Sequence, residues 1–385
     1  MKRIAVITGT RAEFGLLSPL MSEIQNDQEM ELQLIVTAMH LSPEFGYTVD
    51  EIKKKGFKID KKVECLLSSD SAVGITKSVG LAMIGFADAL NELYPDMVVI
   101  LGDRTEMLAA ATAAMIVNIP IVHISGGETT EGAYDESIRH AITKMSYLHF
   151  ASTEIYRRRI IQLGEHPDRV FNVGSIGIDS IKNLVLLNKN EFEKSINFKL
   201  GKNNILITFH PVTLENQSAQ GQFKAILDVL GSLKDTHFIF THANSDKNGS
   251  VINQMIEQFV NENQNRSISF KSLGQLRYLS ALRHIDIVLG NSSSGIAEVP
   301  YFNIPTINIG DRQKGRILSD SVIQTEPTIE SITLAHYKAV DISFRTKIKS
   351  QKQLYGSGNA VKKIMDILRN QNVNNLKKSF YDIQF

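Results

Sequence analysis

"DMVVILGDRTEML", residues 96–108, decides the fold. Five apolar residues follow one another without a polar break. An alternating row would mark a strand with one wet face, whereas a continuous one marks a strand covered by helices on both faces, as in a parallel sheet. The row then runs into Gly102, Asp103 and Arg104, and a helical pattern follows over 106–117. Strand, charged turn and helix make half of a βαβ unit.

The same rhythm extends in both directions. Before it stand "RIAVIT", a helix from Leu16, "LQLIVT" and a helical stretch over 72–93; after it come "IPIVHI", "YLHFAS" and "RVFNVG". From about 189 to 201 the chain turns polar and Asn/Lys-rich, which reads as a linker. Beyond it the rhythm restarts with "NNILITF", a helix over 222–233, "HFIFTH", a helix over 251–261, "SISFKSL", "IDIVLG", a helix after Ser294 and "PTINIG". The sequence therefore predicts an α/β fold of two Rossmann-like, doubly wound domains, 1–185 and 186–365, followed by a C-terminal helix and tail over 366–385.

Composition narrows the function. Hydrophobic residues at 43% and charged residues at 22% are globular values, and 385 residues suit two cores. With 42 basic against 41 acidic residues, no bulk field favours nucleic acid or an anionic membrane. The single cysteine, Cys65, allows no intrachain disulfide and fits a reducing compartment. The first apolar run is too short for a signal peptide, and Asn118 and Pro120 interrupt the best apolar span, so a cytoplasmic protein is expected.

In open parallel sheets ligands bind beyond the carboxyl ends of the strands. Here those ends are polar: "GTRAEFG" with Arg11, "AMH" with His40, "GDR" with Asp103, "SGGETTEG" with Glu128, "HPVT" with His210, "HANSD" with His242, "GNSSSG" with Ser293, Ser294 and Gly295, and "GDRQKGR" with Arg312. "GNSSSGIAE" presents a small-residue turn before a helix, where backbone N–H groups hold phosphate, although Asn and Ser also cap ordinary helices. It is not a P-loop, and no G-x-G-x-x-G occurs. Glu298, a helical turn on, can accept from ribose hydroxyls or simply face solvent. Arg11 can bind a diphosphate bidentately, and His210 can donate to a leaving phosphate or act as an acid; each also has a plain structural reading. In "AYDESIRHAITKM", Asp135 and Arg139 share a helix face whose first turn lies at the ligand edge, while Gly126, Gly127 and Gly132 allow close backbone approach. Asp103, Glu128 and Asp135 thus gather acid/base capacity in one domain, with most of the basic groups in the other. No histidine spacing suggests a metal, and one cysteine excludes a thiolate cluster.

"ITGTRAEFG", "TAMH", "PDMVVILGDRTE", "HISGGETTEGAYDESIRH", "TFHPVT" and "GNSSSGIAEVP", in this order, resemble the hydrolysing UDP-N-acetylglucosamine 2-epimerases of bacterial sialic-acid-type biosynthesis. The resemblance implies a GT-B architecture with a nucleotide-sugar cleft, the C-terminal segment 366–385 packing back on the first domain, and a reaction needing neither metal nor nicotinamide. A base removes the C2 proton, UDP is eliminated to leave a 2-acetamidoglycal, and water adds to give N-acetylmannosamine. Asp103, Glu128 and Asp135 would share the proton work; Arg11, His210, Ser293 and Ser294 would stabilise the departing diphosphate; Glu298 would hold ribose; and Arg139 would orient substrate or Asp135. Non-hydrolysing relatives resemble a "GTRPE" start and a "TAQH" segment, which Ala12 and Met39 depart from here. Relatives also carry a glutamate where this chain has Ser125, a place Glu128 would fill. A homodimer or larger homo-oligomer is implied. The alternatives are the same reaction on UDP- or GDP-linked 2,4-diacetamido-2,4,6-trideoxyglucose, a GT-B glycosyltransferase, and a non-catalytic sugar-nucleotide sensor.

Overall fold

The computed structural model describes all residues except Asp70, Gly132, Ala133, 212–218, 244–248, Asn372, Asn374 and Phe385. They form two compact units. The first comprises Met1–Glu128, Asp135–Asn183 and Tyr355–Phe385, the second Thr129–Tyr134 and Leu184–Leu354.

In the first unit seven parallel strands, β1 (Lys2–Thr8), β2 (Met30–Thr37), β3 (Lys61–Val63), β4 (Met97–Leu101), β5 (Ile121–Ile124), β6 (Leu148–Ala151) and β7 (Val170–Asn172), lie in the order β3-β2-β1-β4-β5-β6-β7. The unbroken apolarity of β4 has the expected cause. Met97, Val99 and Leu101 join a core with helices Arg11–Asn26 and Ala360–Asn370, while Val98 and Ile100 join another with Ala72–Leu93 and Thr105–Ile116. Strand order reverses between β1 and β4, so the turns after these two strands flank the switch point where such sheets bind ligands.

Helix Ala72–Leu93 is long and apolar enough by composition to cross a membrane. It nevertheless buries Gly74, Ser78, Ala82, Phe86, Ala89 and Leu90 at helical spacing, the pattern of a helix laid against a sheet. Its other side exposes Val73, Leu81 and Ile84.

The second unit has six parallel strands, β8 (Asn203–Thr208), β9 (Thr236–Thr241), β10 (Ser267–Phe270), β11 (Ile287–Gly290), β12 (Thr306–Ile309) and β13 (Val322–Thr325), ordered β10-β9-β8-β11-β12-β13. Its switch point lies between β8 and β11. Gly290 closes β11 at φ +140°, and a Cβ there would sit 1.9 Å from the Thr208 carbonyl oxygen, so only glycine fits.

Three expectations need correction. Residues 189–201 are not a plain linker, because Lys189–Ile196 is helical, opened by an Asn188/Glu191 capping box and anchored by buried Phe192 and Ile196. Two apolar residues four apart leave too weak a period to read. The helix after Ser294 is one turn, Ser294–Ala297, followed by a 3-10 turn at Val299–Phe302. The chain also rejoins the first unit at Tyr355 rather than 366, while its last helix, Ala360–Asn370, is the one the stretch "AVKKIMDILRN" predicts.

The cause of that early return is local chemistry. Tyr355 Oη meets Tyr156 Oη at 3.3 Å, and Ser175 N donates to the Tyr355 carbonyl at 2.8 Å. Asp179, 3% exposed, accepts from Ala360 N at 3.0 Å and Val361 N at 2.8 Å, the otherwise orphaned donors of the final helix. Asp179→Ala leaves two buried N–H groups unpaired, so it is expected to cost about 2 kcal/mol. Thermal unfolding checks this: a Tm unchanged from the parent would show that the contact does not anchor the helix.

Candidate active site

The first unit builds its site on the turns that follow β1, β4 and β5. Gly102, at φ +77°, swings the chain out of β4, and its carbonyl accepts from His123 Nε2 at 2.8 Å. The other ring nitrogen of His123 meets Thr143 Oγ1 at 3.1 Å. Burial pushes the His123 pKa down to about 3, so a neutral ring fixes the turn that carries Asp103.

Asp103 is a quarter exposed and forms an ion pair with Arg139, whose own side chain is 3% exposed. Arg139 Nη1 also donates to the Glu128 carbonyl at 3.0 Å and approaches Glu136 Oε2 at 3.3 Å. One buried guanidinium thus ties together the β4 turn, the β5 turn and the helix Asp135–Met145, whose first turn holds Asp135. Sequence spacing placed Asp135 and Arg139 on one helix face at the ligand edge; the ion pairs described for Arg139 run to Asp103 and Glu136. The Glu128 carboxylate accepts from Ser152 Oγ at 2.9 Å, beyond β6.

The glycines of this loop answer to packing within the protein. A Cβ on Gly127, at φ +74°, would meet the Tyr156 carbonyl at 2.4 Å, and one on Gly126 would meet His123 at 2.9 Å. Gly132 lies outside the described residues.

After β1, Thr10 and Glu13 form a capping box, with Glu13 Oε2 accepting from Gly9 N at 2.8 Å and Thr10 N at 3.1 Å. Burial, and then the charge of Glu106, raises the Glu13 carboxyl to about 7. Glu106, itself buried, binds Arg104 Nε at 2.7 Å. This acid pair and Arg104 lie at the switch point; sequence reading marked Arg104 only as the charge beside Asp103 and singled out neither glutamate, although the T-x-x-E box was the available signal for Glu13. Arg11 pairs with Glu51 at 2.9 Å and stays half-exposed. His40 is fully buried with both ring nitrogens engaged, by Thr8 Oγ1 at 3.1 Å and Thr48 Oγ1 at 2.7 Å. Burial drops its pKa to about 4, and the ring braces the turn from within.

In the second unit the switch point is knitted by Asn291, another residue the sequence reading did not single out. Its side chain accepts from His210 N and donates to the His210 carbonyl, both at 2.7 Å, joining the ends of β8 and β11. Its carbonyl accepts from Arg312 Nη1 at 3.1 Å and Gln313 Nε2 at 2.9 Å. His210 and Arg312 are thereby brought together, and burial followed by the Arg312 charge lowers His210 to about 3.

Ser293 is exposed at the head of the one-turn helix. Ser294 Oγ accepts from Tyr278 Oη at 2.7 Å and donates to Glu298. Enclosure raises the pKa of Glu298 and of Tyr278. A Cβ on Gly295 would meet Thr306 Cγ2 at 2.9 Å, so this glycine serves strand contact. His242 pairs with Glu257 at 2.7 Å along helix Gly249–Glu262, on the β10 side of the sheet and away from the β8–β11 switch point. Among the described residues no three His, Cys, Asp or Glu side chains gather as metal ligands.

The sequence model of a family described as UDP-N-acetylglucosamine 2-epimerase matches residues 22–369. The chain belongs to the UDP-N-acetylglucosamine 2-epimerase family. The Campylobacter jejuni protein named GDP/UDP-N,N'-diacetylbacillosamine 2-epimerase (hydrolyzing) is 49% identical over 325 residues, 84% of each chain. Polysialic acid biosynthesis protein P7 of Escherichia coli is 38% identical over all of this chain and 98% of its own. Among solved structures, the UDP-GlcNAc 2-epimerase of Neisseria meningitidis superposes with a TM-score of 0.83 at 19% identity, over 96% of this chain and 100% of its own. This epimerase accordingly has the GT-B-like fold of two parallel-sheet units and is of the hydrolysing, nucleotide-sugar type.

Proposed function

We propose that this epimerase converts a nucleoside-diphosphate-linked 2-acetamido sugar of the gluco series into the free manno sugar and the nucleoside diphosphate. The C2 proton passes to a carboxylate, and the C2–H electron pair forms the C1=C2 bond. The C1–O bond breaks, and its electrons leave with the diphosphate. Water then adds its oxygen to C1, while a proton returns to C2 from the opposite face. Asp103, Asp135 and Glu128 share the proton transfers, and Arg139 orients Asp103. The observation that carries this reading is the Asp103–Arg139 pair at the β1–β4 switch point.

Arg312, Ser293, Ser294 and Arg11 meet the diphosphate charge, the kind of interaction that dominates when charge develops on a leaving group. His210, with its depressed pKa, is neutral at pH 7 and serves as a neutral N–H donor instead of an acid. Glu298, aligned by Ser294, accepts from ribose hydroxyls.

The 49% identity to the Campylobacter jejuni enzyme favours N,N'-diacetylbacillosamine, linked to UDP or GDP, as the sugar. UDP-N-acetylglucosamine is the second reading, favoured by the family description and by the likeness to a polysialic acid biosynthesis protein. A cytoplasmic homo-oligomer fits both, with the exposed Val73, Leu81 and Ile84 available to a second copy.

Proton NMR in deuterated water, with each sugar nucleotide and no added metal or cofactor, tests the proposal. Free nucleoside diphosphate together with a manno product deuterated at C2 is expected, fastest from the diacetamido substrate. Product retaining protium at C2 would overturn the elimination route, and faster turnover of UDP-N-acetylglucosamine would reverse the substrate order. Sedimentation of the same sample as a single chain would remove the oligomer.

A further inference from the structure

We propose that Lys378, in the C-terminal tail, is a positioning residue for the reaction: it clamps the far end of the helix that carries Asp135 and Arg139. Lys378 Nζ donates to the Lys144 carbonyl at 2.8 Å and to the Ser146 carbonyl at 2.7 Å. These acceptors stand at the C-terminal end of helix Asp135–Met145, where the last carbonyls have no partner within the helix and a cation complements the dipole. The same ammonium lies 3.0 Å from both oxygens of Glu165, a carboxylate with 1% exposure. Glu165 also binds Lys144 Nζ at 2.6 Å and His149 Nε2, on β6, at 3.2 Å.

The tail is seated by more than this charge. Phe380 lies so close against Gly164 that a Cβ there would meet its ring at 2.3 Å, and the Lys144 ammonium stands 5.1 Å from the centre of that ring. Tyr381 N donates to the Gly164 carbonyl at 3.0 Å, and its ring stacks edge-on against His166 at 5.2 Å. A segment more than 200 residues from the catalytic helix therefore holds that helix and the Glu165 turn as one block.

Position follows from this arrangement. Near its middle the helix is tied by Arg139 to Asp103 and to the Glu128 carbonyl. At its C-terminal end it is tied by Lys378. A rod of eleven residues fixed at two points holds Asp135 in place, whereas one fixed at a single point can pivot. Displacements of under an ångström at a reacting group are costly in rate and leave the binding of the rest of the substrate nearly untouched.

The inference rests on the assignment of Asp135 and Arg139 to the reaction, so Asp135→Asn is measured alongside Lys378→Met, Lys378→Arg and Phe380→Ala, all well below each variant's Tm. Lys378→Met is expected to lower kcat about tenfold with KM changed by less than about twofold, and Lys378→Arg to restore most of the loss. Phe380→Ala, which loosens the tail and spares the charge, should fall between. Hydrogen exchange should quicken in 135–145 and stay unchanged in the second unit. Parental kcat in folded Lys378→Met, or a loss explained wholly by a smaller folded fraction, would overturn the role of the tail. Parental turnover in Asp135→Asn would instead remove the site assignment, whatever Lys378→Met does.

Discussion

Asp103→Asn is expected to lower kcat about a thousandfold, the scale of losing a positioned acid/base group. The amide has the size of the carboxylate and still offers an oxygen to Arg139, so the β4 turn held by His123 and Gly102 should keep its form. What disappears is the capacity to take or return a proton. Of the residues proposed to meet the diphosphate, His210, Arg312, Ser293 and Ser294 belong to the second unit and Arg11 follows β1, so none sits on the β4 turn that the substitution alters. UDP affinity by calorimetry should therefore stay within about threefold of the parent, far inside the 1.4 kcal/mol that a tenfold change represents. Deuterium uptake at C2 should fall together with product release, because both follow proton abstraction. Near-parental turnover in this variant would remove Asp103 from the chemistry and leave the Arg139 pair as a brace.

Residues near one another in the chain made much of this legible. The continuous apolarity of Met97–Leu101 announced helices on both faces, and the two cores that divide Met97, Val99 and Leu101 from Val98 and Ile100 are its physical counterpart. Of the polar strand ends read as ligand edges, those after β1, β4, β8 and β11 flank the two switch points, whereas those with His40, Glu128, His242 and Arg312 follow other strands. Edge strands were harder to see. β3 reads Lys-Lys-Val, and lysines on an edge discourage pairing with other chains but also erase the apolar signal. β13, with Gln324 in its middle, was missed for a similar reason.

The interactions that organise the site were the least legible, because each joins residues far apart in sequence. Arg139 reaches Asp103 across 36 positions, His210 reaches Asn291 across 81, and Lys378 reaches Glu165 across 213. Spacing rules see only i,i+3 and i,i+4 neighbours, so they set Asp135 and Arg139 on one face and could not reveal Asp103. Histidines misled for a different reason. His40 stood at a ligand edge in the sequence, yet its ring turns inward to Thr8 and Thr48; His123, unremarked in a strand, fixes the Asp103 turn.

Arg139→Leu should be the most damaging single change at the site. The leucine fits an apolar environment, but it abandons the Asp103 carboxylate, the Glu136 carboxylate and the Glu128 carbonyl in a place where the guanidinium was almost wholly enclosed. Removing one partner of a buried pair costs about 3 kcal/mol or more, here eased somewhat because Asp103 keeps some contact with water. The expected signature is a Tm lower by roughly 10 °C and a kcat reduced at least as far as in Asp103→Asn. Comparison of the two variants carries more information than either alone. If Arg139 acts through Asp103, the double variant should lose little activity beyond the worse single one, since the second change removes a support whose load is already gone. Fully additive losses would mean that the guanidinium meets the substrate itself. The stability data then separate these cases: a large Tm drop with additive kinetics assigns Arg139 two jobs, while a large drop with non-additive kinetics makes it the brace that lets Asp103 work.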